Sequence, residues 1–269
     1  MSFYKPEEKI FVRKIHNDGR EQALLEYIQS HSSYDEMHGH PEKILAAIDE
    51  FGREKDFLMN VGRSKGAIVV KMITDRKPRI MVELGGYIGY SAILFGNALK
   101  QAGGHKYISL ELSPIFADIS DTLIRLASLE DIVEIMVGPC RESLRALREI
   151  YPNLRLDMIF FDHRKVQYVN DLKLCEELKL VAPGTTVLAD NVISPGNPAY
   201  LEYVRLSTKK KAEQARIQSS DSDQLGDYSI GDPFLIYDTL TVRGLEVTGV
   251  PDAVEVSYCL GADFSMSRS

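Results

Sequence analysis

Two acids and an amide that follow apolar runs open the question of chemistry: Asp162 after LDMIFF, and Asp190 with Asn191 after TTVLA. Two carboxylates and an amide oxygen form a hard, oxygen-only ligand set, which suits Mg²⁺ at about 2.1 Å per ligand better than zinc. Taken singly, an aspartate at a strand end is more often a helix cap or a turn residue. Lys165 lies three residues after Asp162 and can overhang the same crevice. A lysine that is partly desolvated beside a cation has its pKa pushed down, which makes it a usable base near neutral pH. Its plain alternative is a surface lysine on a loop.

A second group surrounds the glycines of Glu83-Leu84-Gly85-Gly86-Tyr87-Ile88-Gly89-Tyr90-Ser91. Glycine lets a backbone turn sharply and approach a ligand closely. The run is not GxGxxG, and Glu83 at the strand end would repel a pyrophosphate while suiting a ligand that carries an α-amino group and a sulfonium. Glu111 stands 22 residues past Gly89, near the roughly 20-residue offset at which an acid meets ribose hydroxyls in nucleotide-binding α/β folds. Loop and acid together describe an adenosine-type ligand without a pyrophosphate, the order that S-adenosylmethionine binding needs. The alternative is that Gly85 and Gly89 only shape a turn and Glu111 is a solvated strand end.

The elements that must position these residues follow from periodicity. Before Pro78 the apolar residues recur at helical spacing: Leu24, Leu25 and Ile28; Ile44, Leu45 and Ile48 behind Pro41; Ile68, Val69 and Met72. After Pro78, strands expected at 79–84, 106–112, 131–138, 156–162 and 185–191 alternate with helical segments, and a further helix is expected from about Pro198 to Ser207. Five βα units in succession imply a doubly wound parallel sheet covered by helices on both faces. Two β-like runs, PFLIYDTLTVRGLEV and DAVEVSYCL around the turn TGVPD, are expected to close the sheet edge as an antiparallel pair. No linker divides the chain, so one domain over 1–269 is expected, with N-terminal helices in 1–77 and the sheet core in 78–269.

With 32 basic and 39 acidic residues the net charge is −7, which disfavours a general binder of phosphate backbones. Hydrophobic residues make up 44% and charged residues 26%, enough to bury a full-sized core. No apolar run approaches the roughly 18 to 20 residues of a membrane span. The charged start MSFYKPEEKIF lacks the apolar stretch of a secretory signal, so a cytoplasmic protein is expected. Cys140, Cys175 and Cys259 form no CxxC pair. His31, His38 and His40 have a spacing that a metal site can use, but HSSYDEMHGH reads as a solvated loop. The lysines Lys209 to Lys211 read as a solvated helix end, within a polar insert at 209–233.

Several segments carry a resemblance: Met59-Asn60-Val61-Gly62 with Lys65-Gly66, ELGGYIGYSA, SLELS, LDMIFFDHRK and GTTVLADNVISPGNP, in unbroken order from about Phe57 to Arg205. The chain resembles the catechol O-methyltransferase family of class I, Mg²⁺-dependent O-methyltransferases. The resemblance implies a Rossmann-like, doubly wound, seven-stranded, mostly parallel sheet that binds S-adenosylmethionine and Mg²⁺ and methylates one hydroxyl of a small-molecule catechol. By that similarity Asp162, Asp190 and Asn191 match the metal ligands and Lys165 the general base. Met59, Val61, Glu83, Gly85, Tyr87, Ser91, Glu111, Leu112, Gly138, Cys140, Asp162 and His163 match the cofactor pocket. Asp162, Lys165, Asn191, Glu246, Phe57, Arg164 and Pro195 match the substrate side.

One departure concerns the substrate. The family's animal members wall the catechol ring with tryptophan, whereas this chain has none and places Phe57 and Arg164 there. A guanidinium pairs well with carboxylate, so acidic catechols are expected. A caffeoyl-CoA-type methyltransferase and a non-catalytic binding protein on the same scaffold are the competing readings. No nucleic-acid partner is expected, and assembly is expected to stop at a monomer or a weak homodimer.

Overall fold

The structure is a computed structural model that describes residues 18–220 and 228–263. The N-terminal segment MSFYKPEEKIF, the rest of 1–17 within the expected helical block, and 221–227 of the insert lie outside the described residues.

Four helices come first: α1 (Arg20–Gln29), α2 (Tyr34–Met37), α3 (Pro41–Glu54) and α4 (Gly62–Arg76). Strands and helices then alternate: β1 (Ile80–Leu84), α5 (Tyr90–Gln101), β2 (Lys106–Glu111), α6 (Pro114–Leu126), β3 (Val133–Val137), α7 (Cys140–Ile150), β4 (Met158–Phe161), α8 (Tyr168–Glu177) and β5 (Thr186–Ala189). Helices α9 (Pro198–Arg205) and α10 (Thr208–Ser220) lead to the hairpin β6 (Leu235–Leu245) and β7 (Pro251–Ala262). The sheet order is β3-β2-β1-β4-β5-β7-β6. The first five strands are parallel, β7 runs antiparallel to β5, and β6 antiparallel to β7.

This order makes the site. The chain winds outward from β1 through β2 to β3, then returns to the other side of β1 with β4 and β5, so the winding reverses between β1 and β4. Ligands of open α/β sheets bind outside the carboxyl ends of strands at such a switch point. Register sets what stands there: Leu84 pairs with Leu110 and with Phe161, and Phe161 with Ala189. The next residues along that edge are Gly85, Glu111, Asp162 and Asp190.

Alternation along the strands divides the core in two. Met81, Tyr107, Met158 and Phe160 pack with α1 and α3 to α6, while Val82, Leu84, Ile108, Ile159 and Phe161 pack with α7, α8 and α9. The pattern of a strand buried on both faces is that of a covered parallel sheet.

Two polar segments differ from expectation. HSSYDEMHGH is not all solvated loop, because its middle forms α2 and buries Met37 at 1% exposure. The lysine run stands at a helix end as expected, in the first turn of α10, but it is not solvated throughout. Lys209 and Lys210 are exposed, but Lys211 is 3% exposed and donates to Leu235 O at 3.1 Å with its ammonium 4.3 Å from the Tyr237 ring centroid. A cation between aromatic faces and a carbonyl keeps favourable partners after losing water.

Candidate active site

The turn after β1 is built to bring backbone close to its neighbours. Gly85 has φ +97°, and a Cβ there would meet Asp162 O at 2.6 Å; a left-handed residue without a side chain is what the contact between the β1 and β4 ends requires. Tyr87 donates its N–H to Glu111 Oε2 at 2.7 Å and its hydroxyl to Glu21 Oε1 at 2.7 Å. Glu111 is therefore not a solvated strand end. It is 7% exposed, its other oxygen accepts from Ser113 N–H at 2.8 Å, and burial raises its pKa against these backbone donors. Gly138 N–H donates to Glu111 O at 2.9 Å. Beside it the Cys140 thiol is pushed up to about 12 by burial and by the charges of Asp171 and Glu111. Leu112 presents an exposed side chain next to the acid.

Glu83 corrects the expectation of an open acid at the strand end. It lies inside β1 with no exposed surface, and accepts from Tyr107 OH and Ser109 Oγ, each at 2.6 Å, with Ser91 as a third donor. Burial pushes its carboxyl up to about 7 despite these donors. Its place below the loop is shown by Gly86, where a Cβ would be 3.6 Å from Glu83 Oε1.

A carboxylate centre occupies the ends of β4 and β5. Lys165, in a tight turn of 165–167, donates to Asp162 Oδ1 at 3.2 Å and to Tyr168 OH at 2.9 Å. Asp190 is 1% exposed; its Oδ2 accepts from Lys65 Nζ at 2.8 Å, while Oδ1 has no partner. Burial, and then the charge of Asp162, pushes the Asp190 pKa up. Asn191 donates its amide to Glu246 and, at 3.0 Å, to Asp252 Oδ2, contacts that do not use its amide oxygen. Glu246, held above the ordinary carboxylate range by burial, also receives Lys65 at 2.7 Å.

An orphaned buried carboxylate oxygen, an acid whose ionisation is made costlier by burial and by neighbouring Asp162, and an amide oxygen together suit a hard divalent cation. The set is two acids and an amide; among the described residues no group of three or more His, Cys, Asp or Glu is arranged for a metal. His31, His38 and His40 have other neighbours: Ser33 N–H, the Tyr34 ring and Glu42.

The remaining expected residues frame this centre. Phe57 and Met59 are half-buried in the loop before α4, with the Phe57 carbonyl accepting from Arg20 at 2.8 Å, and Val61 is buried at the start of that helix. Pro195 is exposed in the turn of 192–196 that follows Asn191. His163 binds Asp171 Oδ2 through Nε2 at 2.7 Å. Arg164 is exposed, with no carboxylate at ion-pairing distance among the described residues.

Two residues of the centre are ones that the sequence does not mark for a role. Lys65 is fully buried and also reaches Asp252 Oδ2 at 2.8 Å. Burial opposes its charge, but Asp190, Glu246 and Asp162 keep its pKa raised. Asp252 is buried as well, yet Lys65, Glu246 and the N–H of Ser194 hold it down to about 2. A signal for Lys65 existed: it is four and eight residues before Val69 and Ile73, both wholly buried, so it falls on the apolar stripe of α4. Asp252, next to a turn proline, carried no such signal.

A family model described as O-methyltransferase matches residues 29–220. The chain is 39% identical over 189 residues to the catechol O-methyltransferase of Mus musculus, a match covering 70% of this chain and 69% of that protein. It is 38% identical over 186 residues to the catechol O-methyltransferase of Bos taurus, covering 69% of this chain and 66% of that protein. In fold it is similar to the O-methyltransferase from Bacillus cereus in complex with SAH, with a TM-score of 0.56, 22% identity and coverage of 88% of this chain and 97% of that one. No helix among the described residues is long and apolar enough to cross a membrane.

Proposed function

The chain belongs to the O-methyltransferase family, and from that premise we propose that it transfers the methyl group of S-adenosylmethionine to one hydroxyl of a catechol. The observation that carries this reading is the meeting at one switch point of a glycine loop with Glu111 and an oxygen-rich centre in which Lys165 lies 3.2 Å from Asp162.

The donor is assigned to the loop side. Glu111 offers carboxylate lone pairs to ribose hydroxyls, flanked by Leu112, Gly138, Cys140 and His163; Gly85, Tyr87 and Ser91, with Met59 and Val61, hold the amino-acid end, and Glu83 supports them from beneath by accepting from Ser91. Asp162, Asp190 and Asn191 would hold Mg²⁺. When bound, the cation supplies positive charge that favours ionisation of a hydroxyl whose pKa is otherwise near 10. Lys165 Nζ takes the proton of the reacting hydroxyl, kept in place by Asp162 and Tyr168. The oxygen lone pair forms the new bond to the methyl carbon as the carbon–sulfur bond breaks, its electrons passing to sulfur and leaving S-adenosylhomocysteine. Glu246 is the partner for the second hydroxyl. Holding oxygen and methyl about 3 Å apart lowers the barrier by roughly 7 to 11 kcal/mol through entropy already lost on binding.

Methyl transfer to 3,4-dihydroxybenzoate, measured with Mg²⁺ and then with EDTA, tests the reading. Activity is expected to vanish on chelation, and Lys165→Ala to lower kcat by about 10² or more with S-adenosylhomocysteine affinity unchanged. Full turnover in EDTA, or an unaffected Lys165→Ala, would refute it.

A further inference from the structure

The segment that returns from the insert is wired to the donor side of the site. Along α8, four consecutive backbone N–H groups dock this strap: Ser229 donates to Asn170 Oδ1 at 3.0 Å, Ile230 and Gly231 to Glu177 Oε1, and Asp232 to Glu176 Oε2 at 2.9 Å. Gly231 has φ +85°, and a Cβ there would come within 2.6 Å of Glu176 Oε2, so the close approach depends on glycine. A strap that only sealed α8 would need nothing more.

The contacts continue. Docking buries Ser229 to 4% exposure, where its Oγ accepts from Arg141 Nη2 at 3.1 Å. The other arm of the same guanidinium reaches Asn170 O at 3.1 Å and Asp171 Oδ1 at 3.5 Å. Asp171, 1% exposed, holds His163 Nε2 at 2.7 Å, and the imidazole stacks on Tyr168 with 5.0 Å between centroids. A carboxylate on Nε2 selects the tautomer that carries its proton there and leaves Nδ1 an acceptor. Nδ1 is buried without a partner. The ring stands at the glycine loop, since a Cβ on Gly85 would be 3.0 Å from His163 Cβ.

We propose that the strap Ser229–Asp232 is a positioning element of the donor site, acting through Arg141 and Asp171 to fix His163 with Nδ1 as an acceptor for a hydrogen-bond donor of the bound nucleoside. The proposal rests on the donor pocket assigned above. Ser229 and Arg141 are positioning residues, because they act through the imidazole. The buried Nδ1 then gains in the complex the partner it lacks without ligand, which makes donor affinity sensitive to a serine on a distant segment.

The test is calorimetric titration of S-adenosylhomocysteine into the full chain, combined with ¹⁵N NMR of His163, for wild type, Ser229→Ala, Arg141→Ala and Arg141→Lys. Loss of one hydrogen bond in the relay is expected to raise Kd about threefold in Ser229→Ala and about tenfold in Arg141→Ala. Arg141→Lys is expected to fall between, since an ammonium cannot fork to both Ser229 and Asp171. The His163 nitrogen shifts are expected to move toward a tautomer mixture in the same order. Unchanged Kd and unchanged His163 shifts in folded variants would overturn the proposal and leave the strap a cover on α8. Wild type that fails to bind S-adenosylhomocysteine would instead refute the donor pocket, and the proposal with it. Should Arg141→Ala not fold, Ser229→Ala and Arg141→Lys decide by the same criteria.

Discussion

Glu83 shows how a single side chain can trade stability against ligand binding. The native protein keeps its proton up to about pH 7, whereas the unfolded chain releases it near 4.5. Between those values the unfolded state binds fewer protons, so the group's contribution to stability is fully present below about 4.5 and lost as pH rises through about 7. With no exposed surface to screen it, the loss is about 3 kcal/mol. Glu83→Gln keeps one accepting oxygen and offers its amide N–H to the other hydroxyl, which must turn to accept, without the cost of ionisation. Urea unfolding is therefore expected to show the variant gaining up to about 3 kcal/mol over wild type at pH 8 and little at pH 4.5, while its S-adenosylhomocysteine affinity falls; equal pH profiles for the two proteins would contradict the buried-acid account. Arg164 sits at the opposite extreme, exposed and without a carboxylate among the described residues, beside Val166 at 79% exposure. A guanidinium so placed can pair with an anionic substituent on the catechol. Arg164→Ala is expected to reduce the preference for dihydroxybenzoate over dopamine, read as the ratio of kcat/KM, by about tenfold, a gap of 1.4 kcal/mol typical of a charge-assisted hydrogen bond. An unchanged ratio would remove the substrate assignment.

The turn after β1 carries the most concentrated constraint among the elements. Adding a methyl at Gly85 places carbon 2.6 Å from a backbone oxygen of Asp162 at φ +97°, and a backbone neighbour cannot rotate away as a side chain would. The strain and the forced separation of the β1 and β4 ends are expected to cost about 2 to 4 kcal/mol in Gly85→Ala. Titration should also show donor affinity collapsing, because the loop and Asp162 move apart; a variant with wild-type melting temperature and affinity would mean that the strands' ends are not held in contact. This constraint was legible in the sequence as clustered glycines, and the strands as apolar runs that all seven observed strands match to within a few residues. Helix α10 was not legible, for a physical reason. Its sequence TKKKAEQARIQSS offers no aliphatic stripe, and what fastens it is Lys211 above aromatic rings supplied by α9 and β6, a tertiary arrangement invisible to periodicity.

At the scale of the whole molecule the centre depends on distant parts of the chain meeting at one ammonium. Lys65 on α4 bonds Asp190, Glu246 and Asp252 across sequence separations of 125, 181 and 187 residues. The strand-end acids Asp162 and Asp190 could be read from local pattern because a strand and its end are local features. The apolar stripe of α4 marks the lysine as buried but not which acids it compensates, since its partners are set by the β7 hairpin inserting beside β5 and by α4 packing on that hairpin. The Cβ position of Gly62 lies 2.6 Å from Val247 Cγ1, which shows how closely the two approach. Replacing Lys65 by methionine keeps most of the apolar stem and removes the charge. Three buried or half-buried acids then face one another with only Asn191 and backbone N–H groups as donors. Breaking a buried ionic group by removing one partner costs about 3 to 5 kcal/mol, so Lys65→Met is expected to lose that much in urea unfolding at pH 7. The acids would escape part of the repulsion by keeping protons that the unfolded chain releases, so the deficit should deepen from pH 5 to pH 8. A deficit that stays flat across that range, or a stability equal to wild type at pH 8, would mean that the ammonium does not compensate the carboxylates and that the centre is held together by packing alone.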